Sequence, residues 1–381
     1  MDFDFTDDQN SLRDAVARWV DKGFGFERRH ALAKAGGKTR EVYGELAQLG
    51  LAALALPEAD GGMGFGAVEA MVVMEELGRG LVNAPFAEAA LVTPALLAKA
   101  PQRLREAWCA RIADGSALVV PALQERAARY RLAHVTTRAV EAGGTWRLSG
   151  AKQLVPAGDE ADAFIVPART HAAGTGDDDD PTGIALFLVE RGAEASALRA
   201  YPTQDGARAA DLTLASTPAA LIARDAHDTI EHAADVGLAA ACAEAVGAMD
   251  KLLAITVEYM NTRKQFGVTI ASFQALRHRI ADVKMQLELA RSMSYFATLK
   301  LGEARATRRR ALSQAKLQLG QSMRFVSQQC IQLHGGIGVT DEYVASHYFK
   351  RLAMLELAWG DSVHHLGEVS ARMQDTAGVF A

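Results

Sequence analysis

The stretch Tyr259-Met260-Asn261-Thr262-Arg263-Lys264-Gln265-Phe266-Gly267 separates two long runs of helical periodicity. Before it, Leu238, Cys242, Ala245, Met249 and Leu252 step by four and three. After it, Leu276, Ile280, Val283, Leu287 and Ala290 do the same. An Arg at such a helix end can neutralise a pyrophosphate through two parallel hydrogen bonds. A Phe beside it can pack on a planar ring, and Gly267 lets the backbone turn and approach closely. Gln274 adds an amide suited to a purine edge. The plainer alternative is a helix-loop-helix turn whose Arg caps a helix C-terminus.

Two more stretches share the period: Leu312, Ala315, Leu319, Ser322 and Val326, then Tyr348, Leu352, Leu355 and Trp359, with Leu366 beyond a gap. Four stretches of ~20–30 residues at near-3.5 spacing predict an antiparallel four-helix bundle. A 30-residue helix is about 45 Å long. Bundles of that length usually bury more than one face, so an oligomer is expected. Gln332-Leu333-His334-Gly335-Gly336-Ile337-Gly338 lies about 65 residues beyond Gly267. Its glycines predict an interhelical turn. The functional alternative is bare backbone for a cofactor's ribityl or pyrophosphate chain, with Gln332 as donor.

Toward the N-terminus, Thr6 and Gln9 read as a capping box ahead of Leu12, Ala15, Val16, Trp19 and Val20. Val42, Tyr43, Leu46 and Leu49 repeat the helical pattern until Gly50 stops it. A Gly-rich loop spans 61–66. Further helices are expected over 67–77 and in two segments between Pro94 and Ala113. From about Ala117 the texture changes. Val135-Thr136-Thr137, Trp146-Arg147-Leu148, Phe164-Ile165-Val166 and the run 184–189 are separated by Gly, Pro and Asp, as in a small β domain. The like-charge block Asp177 to Asp180 reads as a solvated hairpin tip, with a metal site as the alternative. The divisions are therefore 1–116 (α-helical), 117–227 (β) and 228–381 (four-helix bundle), an α+β chain.

Composition narrows the function classes. The chain has 381 residues, 49% apolar and 23% charged, the ordinary globular mix. No apolar run reaches the ~18–20 residues of a membrane span. The start, Met1 to Asn10, is acidic where a secretory signal would be basic and then apolar. A net charge of −5 disfavours nucleic acid as a partner. The run Arg308-Arg309-Arg310 reads as a solvated face. Cys109, Cys242 and Cys330 have no metal-type spacing and fit buried free thiols in a reducing cytoplasm. Nucleophile elbow, P-loop, Rossmann glycines and zinc-protease motif are all missing from the sequence, so any dinucleotide must be held by another device.

On particular segments the chain resembles the acyl-CoA dehydrogenase superfamily over nearly its whole length. These are Leu56-Pro57-Glu58 with Gly61-Gly62-Met63-Gly64, Glu75-Glu76-Leu77-Gly78-Arg79, the Gly150-Ala151-Lys152 strand turn, Arg263 to Gly267, and Gln332 to Gly338. The resemblance implies a helical domain, a small β-barrel-like domain and a C-terminal bundle. It also implies FAD held non-covalently between domains and across a subunit interface. Arg263, Gln265, Phe266, Gln274, Gln332, Gly335 and Gly336 would then reach a flavin nucleotide, and Asp361 would hydrogen-bond a helix or a flavin hydroxyl. The implied substrate is an acyl-CoA, the implied acceptor an electron-transferring flavoprotein, and the implied setting cytoplasmic fatty acid β-oxidation. Tyr201 to Gly206 and Phe349-Lys350-Arg351-Leu352 resemble a narrower branch that includes the pimeloyl-CoA dehydrogenase small subunit.

The chain departs from the family pattern where the chemistry is done. Desaturation needs a base for the α-proton, nearly always a carboxylate. Counting along the resemblance, the usual Glu position near the end of the last long helix holds Trp359. The alternative position on the first bundle helix holds Gly237. The catalytic residue is therefore unknown, with Asp361, Asp235 and Glu244 as neighbouring carboxylates. On a continuous helix Asp361 would point ~100° away from the expected direction. Trp359 is either an inward core aromatic or a plug in the acyl site. Leu154-Val155-Pro156 and Gln124 to Arg129 replace the family's flavin-lining segments, and Pro156 offers no N–H. The expected function is an FAD-dependent acyl-CoA dehydrogenase subunit, in a homo- or hetero-oligomer, that pairs with a related chain carrying the Glu. The alternatives are a non-catalytic scaffold that completes a partner's flavin site, and a self-sufficient dehydrogenase with an Asp base.

Overall fold

Thr6 opens the first helix as expected. Its hydroxyl accepts from the Gln9 N–H (3.2 Å), and Gln9 Oε1 accepts from the Thr6 N–H (3.0 Å). The structure, a computed structural model, describes residues 4–170 and 178–373. The N-terminal helices are α1 (Asp7–Gly23), α2 (Phe26–Lys34), α3 (Arg40–Gln48), α4 (Ala67–Arg79), α5 (Thr93–Leu97) and α6 (Gln102–Ala113). Gly50, at φ 82°, ends the α3 region where the sequence placed a stop. A π-helical turn, Ala87–Val92, precedes α5 and was not foreseen.

The strands are β1 (Val119–Pro121), β2 (Arg138–Ala142), β3 (Thr145–Pro156), β4 (Ala163–Arg169), β5 (Ile184–Glu190), β6 (Ser196–Pro202) and β7 (Arg208–Ala223). Their order is β1-β4-β2-β3-β7-β5, with β6 on β7, and an added β4–β5 pairing closes the ring into a small barrel. Two expectations change here. Val135–Thr137 precede β2 rather than forming a strand, because the Thr136 and Thr137 N–H groups donate to Glu125 instead of a ladder. Gly150–Lys152 lie inside β3, not at a turn. A Cβ on Gly150 would sit 2.8 Å from the Thr137 Cα, so the strand needs a bare residue there. The acidic tip between β4 and β5 is paired: Arg138 meets Asp178 (2.7 Å) and Arg131 meets Asp179 (2.6 Å). Asp177 lies outside the described residues.

The C-terminal helices are α7 (His227–Thr262), α8 (Gln274–Lys300), α9 (Arg305–His334), α10 (Val344–Leu357) and α11 (Ser362–Ala371). Most of the predicted stripes are buried: Cys242, Met249, Val283, Leu287, Leu319, Val326 and Leu352 are all 0% exposed, whereas Leu276 and Ile280 are half-buried and Leu366 is 54% exposed. The fourth bundle stretch is not one helix. It breaks between α10 and α11, where Trp359 takes φ 59° and Gly360 φ 111°. Trp359 is therefore not on the inward stripe of a continuous helix. Arg308 to Arg310 are half-buried rather than a solvated face.

By proximity the chain forms two units. One comprises Met1–His30, Ala67–Val82 and Leu238–Ala381; the other comprises Ala31–Gly66 and Asn83–Gly237. The first holds the bundle with α1 and α4 against it. There α4 and α7 cross almost in backbone contact: a Cβ on Gly78 would lie 2.0 Å from the Glu244 carbonyl oxygen, and one on Gly247 1.8 Å from that of Glu75. The second unit holds the barrel.

Candidate cofactor and substrate site

Arg263 follows the last turn of α7, its N–H donating to the Tyr259 carbonyl at 2.8 Å. The next residues form a hairpin the sequence did not announce, β8 (Lys264–Gln265) paired with β9 (Val268–Thr269). Phe266 and Gly267 are its two-residue loop, at φ 53° and 80°, the positive pair that a type I′ turn requires. Phe266 stands at the tip, 92% exposed, with the Phe273 ring edge-on at 6.1 Å.

A small apolar cluster draws the two predicted motifs to one end of the bundle. Met260 from α7, Ile270 after the hairpin and Leu333 from α9 pack together, with Tyr259, Leu276 and Ile280 around them. Gly335 ends α9 at φ 65° and opens a 3₁₀ turn, Gly335–Val339. A Cβ on Gly335 or Gly336 would meet nothing within 4 Å, so this backbone is open on its outer side. Gly338 is different, since a Cβ there would lie 2.9 Å from the Ile331 carbonyl oxygen. Arg263, Gln265, Gln274 and Gln332 are exposed. An uncommitted guanidinium surface, a projecting aromatic and a bare glycine turn fit the nucleotide end of a flavin dinucleotide. His334 sits behind the turn between Tyr259 (4.7 Å) and Tyr343 (5.1 Å), its Nδ1 on the Cys330 carbonyl (2.8 Å).

The carboxylates weighed as bases have other engagements. Asp361 is not on a helix: it is the N-cap of α11, and Oδ1 accepts from the His364 N–H at 2.8 Å. No continuous helix therefore relates Asp361 to Trp359 by a ~100° step. Glu244 is locked to Arg351 by bonds of 2.5 and 2.8 Å, which also accounts for the Arg in the Phe349 to Leu352 segment. Asp235 is fully buried on α7, as is the neighbouring Gly237.

In the barrel, Leu154 takes φ 53° beside a register shift in β3 and is 56% exposed, and Pro156 ends the strand. The segment from Gln124 is organised by a buried ion pair that sequence reasoning missed. Glu125 meets Lys152 at 2.6 Å, with side chains 4% and 0% exposed, and also accepts from the hydroxyls of Thr136 and Thr137. Burial alone would raise the Glu125 carboxyl, but Lys152 and the two hydroxyls outweigh it and hold it near 2. The available signal was a lysine set inside a strand.

His30, Asp341 and His347 also come together, but Arg29 donates to His347 Nδ1 (2.7 Å), so Nε2 carries the proton given to the Asp341 carbonyl (2.8 Å). Neither ring nitrogen of His347 is left for a metal.

The sequence matches two family models, the acyl-CoA dehydrogenase N-terminal domain over residues 6–116 and the C-terminal domain over residues 228–374. Acyl-CoA dehydrogenase FadE12 of Mycobacterium tuberculosis is 30% identical, covering 89% of this chain and 88% of its own. Acyl-CoA dehydrogenase FadE27 of the same organism is 26% identical over 99% of this chain and all of its own. Among solved structures, the ChsE4-ChsE5 complex from Mycobacterium tuberculosis matches at a TM-score of 0.87, with 26% identity, covering 99% of this chain and 100% of the matched one.

Proposed function

The chain belongs to the acyl-CoA dehydrogenase family, FAD-dependent oxidoreductases acting on CH–CH bonds, and we propose that it is a subunit lacking the usual catalytic Glu that works with a related chain supplying one. FAD supplies the hydride acceptor of the family reaction, and the protein must supply a base for the α-proton. The observation that carries the proposal is Trp359, an aromatic in the left-handed region where the family pattern places its carboxylate. Gly237 at the alternative position and Asp361 committed to a helix N-terminus point the same way. A ChsE4-ChsE5 complex among the similar structures supports pairing between related chains.

In this reading Arg263, Gln265, Phe266, Gln274, Gln332, Gly335 and Gly336 hold the nucleotide end of FAD, offered to a neighbouring subunit. Asp361 would add a contact only through the oxygen that does not cap α11. Pro156 and the Glu125-centred segment serve the ring end of this chain's own flavin poorly, since one lacks an N–H and the other has turned inward to Lys152. The divisions 1–116, 117–227 and 228–381 are proposed as modules, supported by family matches that end at 116 and begin at 228. Likeness to the pimeloyl-CoA dehydrogenase small subunit, an electron-transferring flavoprotein as acceptor and a cytoplasmic setting belong to the same proposal.

The test is to purify the chain alone and together with related dehydrogenase chains from its own source. We expect substoichiometric flavin and no desaturation by the chain alone, and full flavin loading with desaturation in the presence of the correct partner. One flavin per subunit with acyl-CoA desaturation by the chain alone would overturn it.

A further inference from the structure

The break between α10 and α11 is held by a buried cation. Lys316 lies on the inward stripe of α9, between Leu312 and Leu319, and is 1% exposed. Its Nζ donates to two carbonyls, Glu356 in the last turn of α10 and Gly360 in the break, each at 2.7 Å. Carbonyls at a helix C-terminus have no helical partner, and a cation also suits that end of the dipole. Other groups pin the same turn. Glu356 Oε1 accepts from the Ser362 N–H (3.0 Å) and hydroxyl (2.7 Å), and His365 Nε2 donates to the Trp359 carbonyl (3.1 Å). Gly360 cannot carry a side chain, because a Cβ would lie 2.5 Å from His365 Nε2. A bulky residue stays in the left-handed region only where its surroundings over-determine it.

We propose that Lys316 is a positioning residue of the site: its ammonium ties the end of α10 to the Trp359–Gly360 turn and so fixes the direction in which residue 359 presents its side chain. The functional meaning of that direction rests on the reading of position 359 given above; the clamp itself rests on the geometry alone. Facing Lys316 are Cys242 from α7 and Glu356, Asp361, His364 and His365 from the last segments. Burial lowers Lys316 to about 8, holds His365 near 3 and raises Cys242 to about 12. A transition near pH 8 that reaches Trp359 is therefore assigned to Lys316. Above it the amine keeps its two N–H donors but loses the charge that strengthens both bonds.

The experiment replaces Trp19, Trp108 and Trp146 with Phe, leaving Trp359 as the reporter in the full chain. Fluorescence and acrylamide quenching are followed from pH 6 to 10, with circular dichroism as the control for folding. We expect a spectral shift centred near pH 8. In Lys316→Met we expect no such shift and an opened turn populated at least about tenfold more, because both charge-assisted bonds are lost. Lys316→Arg keeps the charge and should restore low quenching without the transition. A folded Lys316→Met protein with unchanged quenching and an unchanged pH profile overturns the proposal. If that variant does not fold, Lys316→Gln decides, since its polar head is too short to reach both carbonyls; quenching equal to that of the Lys316 protein overturns the proposal. The readout needs neither flavin nor substrate. A chain that desaturates acyl-CoA alone but shows the Trp359 transition would sink the functional reading and leave the clamp standing.

Discussion

Glu75 shows how one residue can work against the fold that holds it. It lies on α4, 7% exposed, with Oε1 buried and lacking a hydrogen-bond partner. It lines a cleft of about 240 Å³ with Arg13, Arg79, Asp250, Arg291 and Tyr295. Burial pushes its carboxyl up to about 7, and Arg291, 3.7 Å away, only partly offsets that. In the unfolded chain a glutamate titrates near 4.3, so between these values the folded state binds more protons and stability falls as pH rises. Above pH 7 the full cost is present. Glu75→Gln is therefore expected to stabilise the protein at pH 8 by about 2–3 kcal/mol more than at pH 5. Urea unfolding at the two pH values measures this; an equal effect at both would show that packing, not charge, dominates.

At the scale of elements, the crossing of α4 and α7 depends on residues without side chains. Alanine is the better helix former by about 1 kcal/mol, which alone would favour Gly247→Ala. The added carbon would lie 1.8 Å from the Glu75 carbonyl oxygen, which helical backbone cannot yield without moving the helix. We expect a net loss of about 2 kcal/mol or more, the overpacking term exceeding the propensity gain. Gly367 on α11 is the control: a Cβ there meets nothing within 4 Å, so Gly367→Ala should raise stability by about 0.5–1 kcal/mol. Thermal unfolding of both variants is the check, and a stabilised Gly247→Ala would mean that the helices are not in contact there.

For the whole molecule the question is association. Met285 and Leu289 are 54% and 45% exposed and one helical turn apart on α8, with Leu299 at 52% further along. The bundle reading anticipated such a second apolar face. Among the described residues no helix is long and apolar enough to cross a membrane. Leu289→Asp should weaken self-association or pairing at least about tenfold, a change of about 1.4 kcal/mol. Light scattering over a range of concentrations, alone and with a related chain, tests it; an unchanged assembled mass would remove α8 from the interface.

The helices, the β texture and the two turns that carry Arg263 and Gly335 were legible because each rests on a local rule. The Thr6–Gln9 box, the four-three steps of Leu238 to Leu252 and the stop at Gly50 need only near neighbours in the chain. The polarity of Arg263 and the bareness of Gly335 and Gly336 are properties of the residues themselves. What sequence could not reveal were conformations imposed from a distance. Trp359 takes a positive φ because Lys316, 43 positions earlier, and His365 hold its turn. The inward turn of Glu125 needs Lys152 from another segment. A side chain's local preference is a small free energy, and a buried charge must find its partner wherever the fold brings one, so only the tertiary structure could decide them.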